Sequence, residues 1–266
     1  MIDKQHTLDD VIPLVTSGCT LALGGLTLYR RPVAFVRALI KHQRQTNEPS
    51  DLTLLAFTAS LESDLLVGAG LISCIRTCYF GLEIFGLAPM FTHYANRGEI
   101  KILEETEASL ALGLRAALAG IGFMPARAWI GTDLLKLRPD VQTIIDPYTS
   151  EVLVAFPAIH PDVAVIHALQ ADPEGNAQIG GNKSIDVELA LTAKSVIITA
   201  EEIVAELNQA DIVAPFVHAV VHAPGGALPT SCHPLYPFDG HAILNYAERV
   251  SNPATFESYL DDLLDV

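Results

Sequence analysis

The chain has 266 residues, half of them apolar, and a formal charge of −15. That supplies a sizeable core and excludes nucleic acid and an anionic membrane as partners. The longest apolar stretch, 110–124, is broken by Arg115 and too short to span a bilayer.

The N-terminal segment Met1-Ile2-Asp3-Lys4-Gln5-His6 lacks the apolar run of a signal peptide, and the four cysteines are scattered. A reduced, cytoplasmic setting is expected. Thr7 followed by Asp9 and Asp10 is an N-cap with an acidic first turn, opening a short helix to Val15. Thr20 to Leu23 reads as a buried strand that runs into Gly24-Gly25 and then Leu26-Thr27-Leu28-Tyr29-Arg30-Arg31-Pro32. Glycine permits a sharp bend and close approach of a ligand, and Pro32 suits a helix start. A strand–loop–helix corner of this kind turns N–H groups toward an anion, and two arginines sit on it. The helix continues to about Gln43 with Val33, Phe35, Val36, Leu39 and Ile40 on one face.

Strands are expected at 52–57, 75–80 and 100–103, with a helix around 64–69. Ala108 to Ala119 is a helix ended by Gly120 and Gly122. The stretch 127–146 is irregular and could wrap the surface. Strands follow at 151–156, 163–167, 196–199 and 217–222, with a turn at Asp172-Pro173-Glu174-Gly175-Asn176 and a helix at 185–193. An acidic amphipathic helix closes the chain from Pro253 to Val266. Alternating strands and helices without repeats or long linkers predict one α/β domain over 1–266. Its sheet is open and mostly parallel, with helices on both faces.

Several motifs fail on inspection. Gly68-Ala69-Gly70 lacks the third glycine of a dinucleotide fingerprint, and Lys183 stands too far from Gly180 for a P-loop. No Gly-x-Ser-x-Gly elbow is present. Cys74, Cys78, Cys232 and His233 are zinc-type ligands at the wrong spacing, and no metal is expected.

Other residues keep two readings. His167 ends a buried strand, where α/β sheets bind ligands, or is a hydrogen-bonded structural histidine. Glu104, Glu105 and Glu107 complement a helix dipole, or one of them faces a cleft as base or nucleophile. Ala223-Pro224-Gly225-Gly226 is a tight turn or a second ligand-facing corner. Glu201-Glu202 would cap a following helix.

In order along the chain, Leu23-Gly24-Gly25 with Arg30-Arg31-Pro32, Val163 to Ala168 with 172–176, Ala193-Lys194 with 196–199 and Glu201-Glu202-Ile203, and 223–227 with Pro229-Thr230 resemble the A-type chain of the family I CoA-transferases, in the style of glutaconate CoA-transferase. The resemblance implies an open α/β fold and a separately encoded B-type partner, in a heterodimer or heterotetramer. A coenzyme A thioester is the substrate, with no permanently bound cofactor. The nucleophilic glutamate belongs to the B-type partner. For this chain it implies an oxyanion hole at Gly24 and Gly25 and an acyl pocket drawing on Leu26, Thr27, His167, Gly225 and Gly226. Arg30 and Arg31 would steer a second carboxylate. The scaffold also resembles a methylglutaconyl-CoA-type decarboxylase and a hydrolase opening the last ring of steroid-derived CoA esters. In the hydrolase pattern Glu107 matches the general base. A non-catalytic scaffold subunit is the remaining reading.

Overall fold

The computed structural model describes residues 2–264. The chain begins with β1 (Gln5–His6) and α1 (Leu8–Val11), the latter closed by a capping box between Thr7 and Asp10. Next come β2 (Thr20–Leu23), α2 (Val33–Thr46), β3 (Leu52–Ala59), α3 (Leu61–Gly68), β4 (Ile72–Phe80), α4 (Pro89–Arg97), β5 (Lys101–Glu104) and α5 (Glu107–Leu118). A smaller unit holds β6 (Phe123–Ala126), α6 (Leu134–Leu137), β7 (Gln142–Ile145) and β8 (Val152–Pro157). The chain returns through β9 (Val163–Ala171), β10 (Ala177–Gln178), α7 (Asp186–Thr192), β11 (Ser195–Ile203) and β12 (Ala219–His222), and ends in α8 (Gly240–Arg249) and α9 (Pro253–Leu264).

The main sheet runs β1-β12-β11-β9-β2-β3-β4-β5, every neighbour parallel, with β10 hooked antiparallel onto β9. Alternation along the strands loads both faces. Leu21, Leu23, Leu54, Val163 and Val165 pack with α2, α3, α8 and α9 on one side; Ala22, Leu55, Ala164 and Ile166 pack with α5 and α7 on the other. The expected α/β architecture is therefore present.

Three local readings change. The stretch 127–146 contributes β7 to an antiparallel sheet of order β6-β8-β7, with its own small core of Trp129, Val141, Val154 and Phe156. β9 runs on to Ala171, so His167 lies inside a strand and does not end one. β11 likewise continues through Glu201 and Glu202, whose side chains project from a strand and cap no helix. Residues 265–266 of the expected terminal helix lie outside the described residues.

Candidate active site

The corner after β2 is built by internal hydrogen bonds. The Gly24 N–H donates to the Val165 carbonyl (2.9 Å) and the Gly25 N–H to Asp186 Oδ1 (3.0 Å). Gly25 has φ +89°, and a Cβ there would stand 2.5 Å from the Tyr29 carbonyl oxygen and 2.7 Å from that of Arg30. Only glycine lets the loop fold back this tightly. Leu26 and Tyr29 then exchange two backbone bonds, at 3.0 and 2.8 Å.

This geometry corrects the sequence expectation at the corner. Both glycine N–H groups already have acceptors inside the protein, so neither is available to a thioester oxygen here. Arg30 and Arg31 are fully buried. Arg30 donates to Asp186 Oδ2 (3.0 Å), Asn182 O (2.8 Å) and His167 O (2.9 Å); Arg31 donates to Glu62 Oε1 at 2.5 Å. They pin the loop to the sheet and present no cation to an acyl carboxylate. Breaking one such buried pair costs about 3–5 kcal/mol.

His167 is fully buried as well. Its Nδ1 meets Thr199 Oγ1 at 2.8 Å and its Nε2 meets Glu201 Oε1 at 2.7 Å. Burial lowers its pKa against the opposing pull of Glu201. Burial alone would raise Glu201, but His167, the Tyr236 hydroxyl and the Gly225 N–H (2.7 Å) outweigh it and hold the carboxyl below its ordinary value. A Cβ on Gly226 would lie 2.6 Å from the Ala223 carbonyl oxygen and 2.8 Å from His167 Cε1. Gly225 and Gly226 thus serve a closed structural network around His167. Among the described residues the one cluster with metal-type donors is His167, Glu201 and Cys232, within 4.8 Å of one another. Its imidazole and carboxylate are already engaged, and burial pushes the Cys232 thiol up to about 12. Cys74, Cys78 and His233 do not join it.

The open cleft lies beyond the carboxyl ends of β2 to β5, where parallel α/β sheets bind ligands. It encloses about 490 Å³ between Thr27 and Thr58 on one wall, Cys78, Tyr79 and Glu83 on the second, and Glu105, Thr106 and Glu107 on the third. The Thr27 N–H donates to Thr58 Oγ1 at 2.7 Å. Thr27 holds φ +47°, an uncommon conformation for a β-branched residue. Glu105 is clamped by Arg76 Nε (2.6 Å), Arg138 Nη1 (2.8 Å) and the Ser109 hydroxyl. Glu107, the first residue of α5, is exposed and makes no hydrogen bond or ion pair among the described residues. Burial, with the charges of Glu107 and Glu105, pushes the Cys78 thiol up to about 11, which makes it a poor nucleophile near neutral pH.

Of the residues expected from sequence, Thr27 and Glu107 meet in this cleft, whereas Gly24, Gly25, Arg30, Arg31, His167 and Gly226 are buried behind it and Leu26 and Gly225 are half-buried outside its lining. Thr58, Tyr79 and Glu83 were missed. Thr58 carried one legible signal, a hydroxyl near the end of an apolar strand.

Residues 6–223 match the coenzyme A transferase family. The chain is 34% identical to the A-type chain of 3-oxoadipate CoA-transferase from Pseudomonas knackmussii, over 94% of its own length and 89% of that protein. It is 30% identical to the IpdA chain of the cholesterol ring-cleaving hydrolase from Mycobacterium tuberculosis, covering 99% and 94%. It superposes on the decarboxylase AibA/AibB with a TM-score of 0.90 and 30% identity, each chain covered fully. On glutaconate coenzyme A-transferase from Acidaminococcus fermentans the TM-score is also 0.90, with 29% identity and 99% and 89% coverage. With a glycine corner, a carboxyl-end cleft and this likeness along its whole length, the chain belongs to the coenzyme A transferase family, as an A-type enzyme subunit.

Proposed function

We propose that this chain is the A-type half of a heteromeric acyl-CoA transferase whose acyl-binding cleft lies at the carboxyl ends of β2 to β5. A B-type partner would supply the glutamate that attacks the thioester and carries CoA. The observation that carries the reading is the cleft itself: it holds an exposed carboxylate and hydroxyl donors, yet its one thiol, Cys78, is held protonated. The chain therefore lines an acyl site and lacks an activated thiol nucleophile there.

The oxyanion donors would be the N–H of Thr27, two residues beyond Gly25, and the hydroxyl of Thr58 in β3. The Thr27 N–H rests on a side-chain hydroxyl, which a substrate carbonyl can displace at little cost, and Thr58 can turn its own O–H to the same oxygen. Among the described residues the cleft lining carries no cation, and Arg76 and Arg138 behind it are both on Glu105. A second carboxylate on the acyl group would then be read by the partner.

A second reading is favoured by Glu107, a cleft carboxylate in the first turn of α5 that makes no hydrogen bond or ion pair among the described residues: it acts as general base in carbon–carbon cleavage of an acyl-CoA. Trapping separates the two. The co-purified subunits are incubated with acyl-CoA esters, with and without borohydride, and both intact masses are taken. A CoA-sized adduct on the partner, lost on borohydride reduction, supports the transferase. Turnover without an adduct on either chain, abolished by Glu107→Gln, contradicts it and supports the base.

A further inference from the structure

The turn that delivers Glu107 to the cleft is anchored from outside the main sheet. Thr106 caps α5 by accepting the Ser109 N–H at 3.2 Å, and its hydroxyl also accepts the indole N–H of Trp129 at 2.9 Å. Arg138 is buried and donates through Nη1 to the Glu104 carbonyl (2.9 Å) and to Glu105 Oε1 (2.8 Å). Asp140 braces its Nε and Nη2 at 2.9 and 2.8 Å. Trp129 and Arg138 both come from the 123–157 lobe. There Trp129 packs edge-on to Phe156 at 5.0 Å, and the Arg138 guanidinium lies 5.9 Å from the indole centroid. Leu112 of α5 packs against the same small core, so lobe, helix and turn meet as one unit.

We infer that Trp129 and Arg138 are positioning residues, which fix the 104–107 turn and with it the direction in which Glu107 enters the cleft. The inference rests on the reading that Glu107 faces the acyl group. Glu107 has no partner among the described residues to orient it, so its placement is set by the backbone of Glu105 and Thr106. Its capping box ties that backbone to α5; the indole and guanidinium tie it to the lobe. Displacements of about 1 Å from a productive geometry cost about 100-fold in rate.

Trp129→Phe leaves an aromatic ring to pack on Phe156 but removes the N–H with the five-membered ring that carries it. Arg138→Lys keeps the charge and loses the fork. Each is made in the chain purified with its partner and assayed with acetyl-, succinyl- and glutaconyl-CoA. Amide exchange over 104–110 is followed in the same complexes. Both variants are expected to lower kcat about tenfold or more with KM changed less than about twofold, and to speed exchange at 104–110. A folded Trp129→Phe complex with parental kcat, or with parental exchange at 104–110, overturns the inference. Glu107→Gln is the control: parental turnover there, alongside faster exchange in Trp129→Phe, overturns the reading of Glu107 and leaves the anchoring of the turn standing. Should Arg138→Lys fail to assemble, Trp129→Phe carries the test; should no ester turn over, exchange decides it.

Discussion

Gly25 and Thr58 set opposite ends of the same loop chemistry. A methyl on Gly25 meets backbone oxygens at 2.5 and 2.7 Å in a left-handed conformation, so no side-chain motion can relieve the clash. Gly25→Ala is expected to melt well below the parent, or to yield no folded protein, when followed by thermal unfolding; a parental melt would contradict the closed loop. Thr58→Val removes a hydroxyl and leaves the fold's apolar contacts in place. Loss of an oxyanion donor lowers kcat about 100-fold or more in other enzymes, and a fall of about 10- to 100-fold is expected here, with retention of the fold seen by circular dichroism. Parental kcat would remove Thr58 from the chemistry. The arginines were misread in sequence for a physical reason. Adjacent basic residues on a corner suggest a solvent-facing anion site, yet Arg30 pairs with a carboxylate 156 residues away and Arg31 with one 31 away, and no local pattern announces such partners. Glu107 was singled out from Glu104 and Glu105 only by the resemblance to the ring-opening hydrolase, because an acidic segment before a helix reads equally well as a complement to the helix dipole.

At the scale of elements, Asp64 ties three helices together. It lies in α3, accepts the Met90 and Phe91 N–H groups at the start of α4 (3.1 and 2.6 Å), and accepts the Tyr246 hydroxyl of α8 at 2.6 Å. Burial pushes its pKa up to about 6 against the lowering effect of those three donors. A carboxyl raised in the fold holds its proton more tightly there than in the unfolded chain. Its contribution is therefore intact below pH about 4 and lost as pH rises through about 6, a swing of about 3 kcal/mol. Asp64→Asn removes that titration, so its stability relative to the parent is expected to improve between pH 4 and 6.5, read by urea unfolding at each pH. A constant difference across the range would show that Asp64 does not titrate there. The helices it joins were unevenly legible. Periodic apolar runs disclosed α2 and α5, whereas α4 and α8 are amphipathic segments with mixed polar faces to which the sequence assigned no element. The strands β6 and β7 are short and mostly exposed, so their alternation was weak, whereas β8 stood out as an apolar run, and β11 hid its last residues because glutamates read as a cap.

Across the whole molecule, the parallel sheet and its two packed faces were written in the unbroken apolar runs of β2, β3, β9 and β11, since a strand buried on both sides must be apolar throughout. The surface beside the cleft tells of what the chain lacks. Ile84 and Leu87 follow Glu83 with 85% and 71% of their surfaces exposed, and Phe85 nearby packs edge-on to the exposed Phe238 at 5.8 Å. Apolar side chains in that density beside a cleft suit a protein–protein interface. The chain is expected to co-purify with a B-type partner and to self-associate when made alone, as read by light scattering after size exclusion. A monodisperse, stable monomer would argue against an obligate partner. Among the described residues no helix is long and apolar enough to cross a membrane. The most direct test of the cleft is amide exchange of the co-purified complex with and without a thioether analogue of acyl-CoA that cannot react. Protection is expected at 26–28, 57–59 and 104–108, where Thr27, Thr58 and Glu107 stand; protection elsewhere, with those three segments unchanged, would contradict the assignment of the acyl site.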